Sequence, residues 1–187
     1  MVKRVFDLVV ALFGFVLLLP VLAVCAVAVC LSSKGPVFYV SDRIGANNTH
    51  FNMLKFRTMR VDTPQLATHL MDDADTYLTG VGKFLRKTSL DELPQLIHVI
   101  KGEMSLVGPR PALFNQGDQI ELRAKAGCHV LTPGITGWAQ VNGRDDISIA
   151  EKVELDTWYF EHRSFGLDLK ILWMTVGNVV RKRDVAH

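Results

Sequence analysis

The sequence predicts an α+β fold that is mainly helical with a small sheet, together with an N-terminal re-entrant membrane helix and amphipathic interface helices. Leu8–Leu31 is an uncharged apolar run, two short later segments alternate as strands do, and much of the remainder follows helical spacing. These three observations divide the chain into a membrane helix at 1–34, with a break at Pro20, and a cytosolic domain at 35–187.

The apolar run is long enough to enter a membrane. A helix of about 24 residues reaches roughly 36 Å, which matches the apolar core of a bilayer and exceeds a signal peptide. Pro20 removes one backbone hydrogen bond and bends such a helix. Lys3 and Arg4 precede the run and Lys34 follows it. Because positive charge tends to stay cytoplasmic, we expect a segment that returns to the same face, with a kinked spanning helix as the alternative. Asp7 is expected at headgroup level or paired with Arg4.

The charge and cysteine counts exclude other classes. The net charge is +2, and residues 1–34 account for it with Lys3, Arg4 and Lys34 against Asp7, so the rest of the chain is neutral by count. No broad basic field remains for nucleic acid. Three cysteines form no disulfide framework, which favours a reducing, cytosolic setting.

Two adjacent acids, Asp91 and Glu92, organise the candidate site. They follow Ser89 and open an apolar helical pattern that ends at Lys101-Gly102. Ser89 and Glu92 have the spacing of a capping box, which places both acids in a first helical turn, where the helix dipole favours an anion. Acids in this position are more often caps than catalytic groups.

Two segments, Val37–Val40 and Phe51–Met59, are predicted strands joined by a turn rich in Asn. Alternation in the second segment places Lys55 and Arg57 on the same face. Such cations are usually solvated, and they become functional candidates only if their face meets a phosphate.

Two further cations lie close to the acids in sequence. Arg86 ends a helix that is predicted around Val81–Leu85, and Arg110 lies between Pro109 and Pro111. The prolines restrict the backbone of Arg110, which lowers the entropy cost of holding an anion. An ordinary rigid turn is the alternative.

The C-terminal half contains two clear local patterns. Asn142-Gly143 predicts that Trp138–Arg144 enters a tight hairpin turn. Ser148 and Glu151 form a second capping box, which opens a helix whose acids, including Asp156, are expected to form a solvated face.

Two further segments each allow two interpretations. Leu169–Val180 is apolar on nearly all sides and is followed by basic residues, which favours a membrane interface over a buried core helix. The stretch from Arg60 to Lys83 contains acids and weak apolar spacing, and it is either a mobile lid or an inert surface loop.

Six segments together resemble the bacterial sugar transferase family, specifically the small monotopic phosphoglycosyl transferases that act on polyprenol phosphate. They cover essentially the whole chain in the order of the family. They are Lys3–Asp7, Lys55–Met59, Arg86–Leu96, Lys101–Pro111, Pro133–Arg144 and Leu167–Lys170.

The resemblance implies an activity. Asp91 would attack the sugar-linked phosphate of a UDP-sugar and release UMP, and undecaprenyl phosphate would then take the sugar phosphate from the aspartate. Mg²⁺ is the expected cofactor, with Asp91 and Glu92 as the metal-binding and catalytic residues. Glu92 would hold the metal or assist proton transfer. The phosphate-binding candidates are Arg86, Arg110, Lys55 and Arg57, and the substrate-binding candidates are Pro111, Gln140, Asn142 and Arg144.

The same resemblance implies an inner-membrane enzyme whose catalytic domain lies on the cytoplasmic face, in contact with membrane lipid. It is also compatible with a homodimer. Two departures from the family pattern are visible: Leu19 replaces a serine before Pro20, and Arg57 stands where some members have lysine. Larger members carry an additional multi-span domain, so the chain resembles the minimal catalytic form. A membrane-tethered scaffold and a metal-dependent diphosphate hydrolase are the alternatives, and no residue identifies the sugar.

Overall fold

The computed structural model describes residues 2–63, 74–143 and 147–181. The described part is mainly helical with small sheets, as predicted. The helices are α1 (Val2–Ser32), α2 (Gly80–Lys87), α3 (Leu96–Lys101), α4 (Gly117–Lys125), α5 (Trp138–Asn142), α6 (Ile149–His162) and α7 (Phe165–Arg181). The strands are β1 (Phe38–Ile44), β2 (His50–Phe56), β3 (Ser105–Val107) and β4 (Gly134–Thr136), and short 3-10 segments include Leu90–Gln95.

Strands β1 and β2, which were predicted as two strands joined by a turn, form an antiparallel hairpin. Their register pairs Tyr39 with Lys55 and Ile44 with His50. The turn between them contains Asn47 and Asn48 with φ values of 54° and 58°, a left-handed conformation that asparagine tolerates better than most residues. Because β2 ends at Phe56, Arg57 lies just beyond the strand.

Strands β3 and β4 form a parallel pair that the sequence did not indicate. Their backbones approach closely, since a Cβ atom on Gly108 would lie 2.3 Å from the carbonyl oxygen of Thr132. A Cβ on Gly137 would lie 2.1 Å from the carbonyl oxygen of Gly108. Glycine is therefore required where this pair leads into the Pro109–Pro111 segment.

Helix α1 belongs to both apolar clusters of the protein. Ala11 is fully buried beside Val99 and Ile171, whereas Cys25 and Val29 lie in the cluster that contains Phe56 and Leu85. Its other faces are exposed and apolar. By length and composition, α1 is the one helix in the described ranges that could cross a membrane. It is helical on both sides of Pro20 and continues through it, so a bend at this residue stays a prediction.

Both ends of α1 are bound to the same domain. Near its start, Arg4 donates hydrogen bonds to the carbonyl oxygens of Val99 (2.5 Å) and Ile100 (2.8 Å) at the end of α3. Beyond its end, Arg57 donates to the carbonyl oxygens of Ser33 and Lys34, each at 2.7 Å. The helix therefore lies along the domain over its length.

Asp7 is buried within the protein, and its expected position at headgroup level stays a prediction. It is 3% exposed and accepts a hydrogen bond of 2.7 Å from the Ser105 hydroxyl. Its nearest cation is Lys3, at 4.0 Å, and the predicted pairing with Arg4 is wrong because Arg4 binds the end of α3. A buried carboxylate needs such partners to offset its lost hydration.

A second buried acid ties α1 to the C-terminal helices. Asp168 accepts hydrogen bonds from Lys3 (2.8 Å) and from the Tyr159 hydroxyl (2.5 Å). The pKa of Tyr159 is raised because its phenol is buried beside this carboxylate. The start of α1 is consequently fixed to α6 and α7.

Other predictions for the C-terminal half had mixed outcomes. The Ser148–Glu151 capping box is confirmed. The hairpin turn is wrong for Trp138–Asn142, which forms α5, and the solvated face is wrong for Asp156, which is 1% exposed. In α7, Ile171 is fully buried whereas Trp173 is 80% exposed. One face of this helix therefore packs against the core, and another face is exposed. Most of the predicted lid, 64–73, lies outside the described residues.

Gly108→Ala is expected to prevent the close packing of β3 and β4. The added Cβ would contact backbone atoms of Thr132 and Gly134, which cannot move aside independently. The melting temperature, followed by circular dichroism in detergent, should fall by roughly 5 °C or more. Gly117→Ala is the control, because nothing lies within 4 Å of the position its Cβ would take. Equal melting temperatures for the two variants would contradict this packing.

Candidate active site

Asp91 and Glu92 lie in the 3-10 segment Leu90–Gln95, which leads directly into α3. Ser89 has a left-handed conformation (φ 57°, ψ 18°) and its side chain caps nothing, so the predicted capping box is wrong. The reason is local: Ser89 terminates α2, and its N–H donates to the Arg86 carbonyl oxygen in the manner of a left-handed helix end. The predicted stop at Gly102 is confirmed, with φ 91°.

Glu92 joins two separate parts of the chain through one oxygen atom. Its Oε1 accepts a hydrogen bond of 2.6 Å from Lys55 Nζ on β2 and one of 3.0 Å from Arg110 Nη2. Burial alone would raise the pKa of Glu92, but the charges and hydrogen bonds of Arg110 and Lys55 hold it well below its usual range. Glu92 is therefore ionised at neutral pH and holds both cations.

Asp91 is the acid with the less satisfied carboxylate. It is 7% exposed, and no group in the described part of the chain donates a hydrogen bond to its side chain. Burial and the adjacent charge of Glu92 raise the pKa of Asp91 to about 6, while Lys55, Arg86 and Arg110 oppose that rise. A carboxylate of this kind keeps its lone pairs available to an electrophile.

Arg86 lies beside Asp91, and its guanidinium is held by two residues that follow β2. Its Nε donates to the Thr58 hydroxyl at 2.9 Å, and its Nη2 contacts the Met59 sulfur at 3.3 Å. Burial lowers the pKa of Arg86, and the charge of Asp91 offsets part of this effect. The side chain thus presents a fixed positive charge to the acid.

Arg43 is a fourth cation of the cluster, which the sequence analysis missed. Its Nε donates to the Ser41 hydroxyl at 3.0 Å and its Nη1 to the Pro111 carbonyl oxygen at 3.2 Å. Burial and the charge of Arg110 lower its pKa to about 10, and Tyr39 and Glu92 act in the opposite direction. The missed signal was the alternation of β1, which places Tyr39, Ser41 and Arg43 on the face that carries Lys55.

The cluster has an excess of positive charge. Among the residues that the structure describes it contains four cations and two carboxylates, and these six side chains sum to a net charge of two positive. The cations are Arg43, Lys55, Arg86 and Arg110, and the carboxylates are Asp91 and Glu92. Arginine and lysine side chains that converge in this way favour a phosphate-type anion, and a diphosphate diester supplies two negative charges.

Arg57 does not join the cluster. It is 5% exposed, and its hydrogen bonds go to the carbonyl oxygens that follow α1. Arg57 lies just beyond the end of β2 at Phe56, where strand alternation no longer fixes the face of its side chain.

The four substrate-binding candidates lie in different surroundings. Pro111 is buried and its carbonyl oxygen binds Arg43. Both side-chain polar atoms of Gln140 are buried and have no partner within the described residues. Asn142 is exposed and donates to the Trp138 carbonyl oxygen at 2.8 Å. Arg144 lies outside the described residues.

The acids fit a magnesium ion only in combination with a substrate. No group of three or more potential ligands (His, Cys, Asp or Glu) occurs within the described ranges, so an all-protein cage is not formed there. Mg²⁺ commonly binds one or two carboxylates and completes its ligands with water and substrate phosphates. Asp91 and Glu92 meet that requirement, although Oε1 of Glu92 already binds two cations.

Fold and site together define a class of protein in which an apolar helix suited to a membrane packs beside a cationic cluster suited to phosphate. Comparison with known sequences agrees with this class. The chain matches the family described as Bacterial sugar transferase over residues 1–182. It belongs to that family.

Named relatives cover nearly the whole chain. It is 44% identical over 180 residues to the Uncharacterized sugar transferase EpsL of Bacillus subtilis (strain 168), which covers 95% of this chain and 87% of the relative. It is 41% identical over 183 residues to the UDP-glucose:undecaprenyl-phosphate glucose-1-phosphate transferase of Escherichia coli (strain K12), covering 94% of this chain and 39% of the relative. The chain therefore spans most of some relatives and well under half of others.

The charges of Glu92 and Lys55 are expected to move the pKa of Asp91 in opposite directions. Glu92→Gln removes a negative charge that raises this pKa, so the pKa should fall. Lys55→Met removes a positive charge that lowers it, so the pKa should rise. Each shift should be about one unit. The measurement is a carboxyl ¹³C NMR titration of the labelled protein in detergent.

Asp91→Asn assigns the resonance in this titration. Glu154→Gln, at an exposed position on α6, is the control and should leave the pKa of Asp91 unchanged. Shifts of the same sign for Glu92→Gln and Lys55→Met would contradict the arrangement of charges described above.

Proposed function

We propose that the protein is a membrane-bound phosphoglycosyl transferase, which moves a sugar 1-phosphate from a UDP-sugar to undecaprenyl phosphate. The reaction would be the first membrane step in assembling a bacterial glycoconjugate such as an O-antigen, capsule, exopolysaccharide or glycoprotein. The observation that carries the proposal is the buried Asp91 carboxylate. Among the described residues it has no hydrogen-bond donor, and the cations around it outnumber the acids. The name of the Escherichia coli relative supports the classes of donor and acceptor.

In the first step, a carboxylate oxygen of Asp91 attacks the phosphorus that bears the sugar. The bond from that phosphorus to the bridging oxygen breaks, and UMP leaves with the electron pair. A sugar-phosphoryl aspartate remains. A carboxylate nucleophile divides one difficult displacement into two easier ones.

In the second step, a phosphate oxygen of undecaprenyl phosphate attacks the same phosphorus. The bond between that phosphorus and the Asp91 oxygen breaks, which restores the carboxylate. The product carries the sugar on a lipid diphosphate. Each step exchanges one phosphorus–oxygen bond for another, so no oxidant or further reactant is required.

The cations position the donor and neutralise its charge, which is most of what phosphoryl transfer requires of a protein. Arg110 and Lys55 converge on Glu92 and Arg86 faces Asp91, so donor phosphates can bind between them. The contacts of Glu92 support a role in holding these cations. The pKa of about 6 for Asp91 leaves it mostly ionised at pH 7 and above, as a nucleophile requires.

A magnesium ion is part of the proposal. Asp91 and Glu92 would hold it together with the donor diphosphate. When bound, such an ion supplies further neutralisation of the phosphate oxygens.

The position of α1 supports a re-entrant or in-plane helix. A helix of 31 residues is about 46 Å long, and its two ends bind the same domain. If α1 stood across the bilayer, the charged site beside it would be drawn into the apolar layer, at high cost. The flanking basic residues favour the cytoplasmic face of the inner membrane.

Release of UMP tests the reaction. Purified protein in detergent, supplied with Mg²⁺, undecaprenyl phosphate and one UDP-sugar at a time, should release UMP from at least one donor. Asp91→Asn should lower this rate by about 1,000-fold or more, because the nucleophile is lost. Asp118→Asn, an exposed acid in the first turn of α4, is the matched control and should keep the rate.

The covalent step has a separate test. When the lipid acceptor is withheld, the peptide that contains Asp91 should gain the mass of a sugar phosphate. A transferase that shows no such adduct would use a one-step mechanism. Free sugar phosphate without lipid product would identify a hydrolase instead.

Cysteine labelling tests the topology. Val2→Cys and Lys34→Cys, each in a Cys30→Ser background because Cys30 is exposed, should both react with an impermeant maleimide only from the cytoplasmic side. Glu154→Cys marks the side of the domain. Labelling of residues 2 and 34 from opposite sides would show a spanning helix and overturn the proposed topology.

A further inference from the structure

The segment that carries Arg110 is held at every carbonyl oxygen by a different part of the protein. Four consecutive residues, 109–112, have their carbonyl oxygens bound by donors from four other positions. The pairs are Pro109 with Gly134 N (2.9 Å), Arg110 with Arg123 Nη1 (3.0 Å), Pro111 with Arg43 Nη1 (3.2 Å) and Ala112 with Ile44 N (3.0 Å). Two of these donors are arginine side chains rather than backbone groups.

Arg123 is itself fixed by a buried acid on another helix. Its Nε and Nη2 donate to Asp156 Oδ2 at 3.0 Å and 2.6 Å. The exposed fractions of the two side chains are 11% and 2%. One guanidinium therefore links α4, α6 and the backbone of Arg110.

The cost of burying this ion pair argues for a role beyond joining two helices. Buried ion pairs are often no more stabilising than well-packed apolar residues of similar size. An apolar contact between α4 and α6 could not donate a hydrogen bond to the Arg110 carbonyl oxygen. Three nitrogens of the planar arginine fork bind Asp156 and that oxygen at the same time, whereas lysine has a single nitrogen and no fixed fork.

We propose that Arg123 and Asp156 are positioning residues for Arg110, which fix its backbone so that its guanidinium reaches Glu92 and the donor diphosphate. The inference rests on the proposed function in so far as Arg110 binds the donor. Neither residue is assigned a contact with the substrate. They act by fixing the Arg110 carbonyl oxygen, which sets the direction of the Arg110 side chain.

A double-mutant cycle distinguishes positioning from simple stabilisation. Arg123→Lys keeps the charge but loses the fork, and it should lower kcat/KM for the UDP-sugar by about 10- to 100-fold. In an Arg110→Ala background the same change should lower kcat/KM by no more than about 2-fold, because the residue it positions is gone. Asp156→Asn is a second variant, to be tested wherever it folds.

A second measurement does not depend on activity. Hydrogen–deuterium exchange, followed by mass spectrometry on the enzyme without substrate, should be faster in Arg123→Lys for the peptide that spans 105–113. Peptides from α6 should exchange as in the wild type. Glu121→Gln breaks the exposed Glu121–Lys125 pair on the same helix, and as the control it should change neither exchange nor kinetics.

The outcomes separate the two proposals. Equal losses from Arg123→Lys with and without Arg110 would overturn the positioning role, as would unchanged exchange in 105–113. If the wild type releases no UMP from any UDP-sugar while Arg123→Lys still loosens 105–113, the proposed function fails and the link from Arg123 to Arg110 is supported.

Discussion

One carboxylate oxygen, Oε1 of Glu92, is the point on which the site depends. It binds Lys55 from the β1–β2 hairpin and Arg110 from the 109–112 segment, so three distant parts of the chain meet there. Each cation would be repelled by the other without the shared acid between them. The surrounding elements hold the side chains of Glu92, Lys55 and Arg110 together and restrict their movement.

The arrangement gives the two adjacent acids opposite properties. Glu92 accepts the hydrogen bonds of the cluster and is ionised. Asp91 is buried beside the negative charge of Glu92, and both effects raise its pKa to about 6. The excess of cations over acids among the described residues is unfavourable by itself and would be relieved by a bound anion. Under the proposed function, the cluster thus trades stability for affinity and reactivity.

Short-range patterns in the sequence identified much of this site. Asp91, Glu92 and Arg110 were found because each lies in a compact, unusual local sequence, and Lys55 was found because strand alternation is regular. Arg43 was missed although the alternation of β1 places it on the face that carries Lys55. The Arg123–Asp156 pair was missed because its role depends on contacts between distant segments. Local rules also failed where tertiary demands were stronger: Ser89 ends α2 instead of capping the next turn, and Asn142-Gly143 ends a short helix instead of forming a hairpin turn.

Helix α1 packs along the segment that carries the two acids. Arg4 binds the carbonyl end of α3, and Leu90, at the other end of the same run, packs beside Cys25 and Val29 of α1. The segment with Asp91 and Glu92 therefore lies along the apolar helix rather than at its tip. Under the proposed function this geometry sets the depth of the nucleophile: a lipid phosphate at the membrane surface reaches Asp91 because the helix that enters the apolar layer is part of the same core.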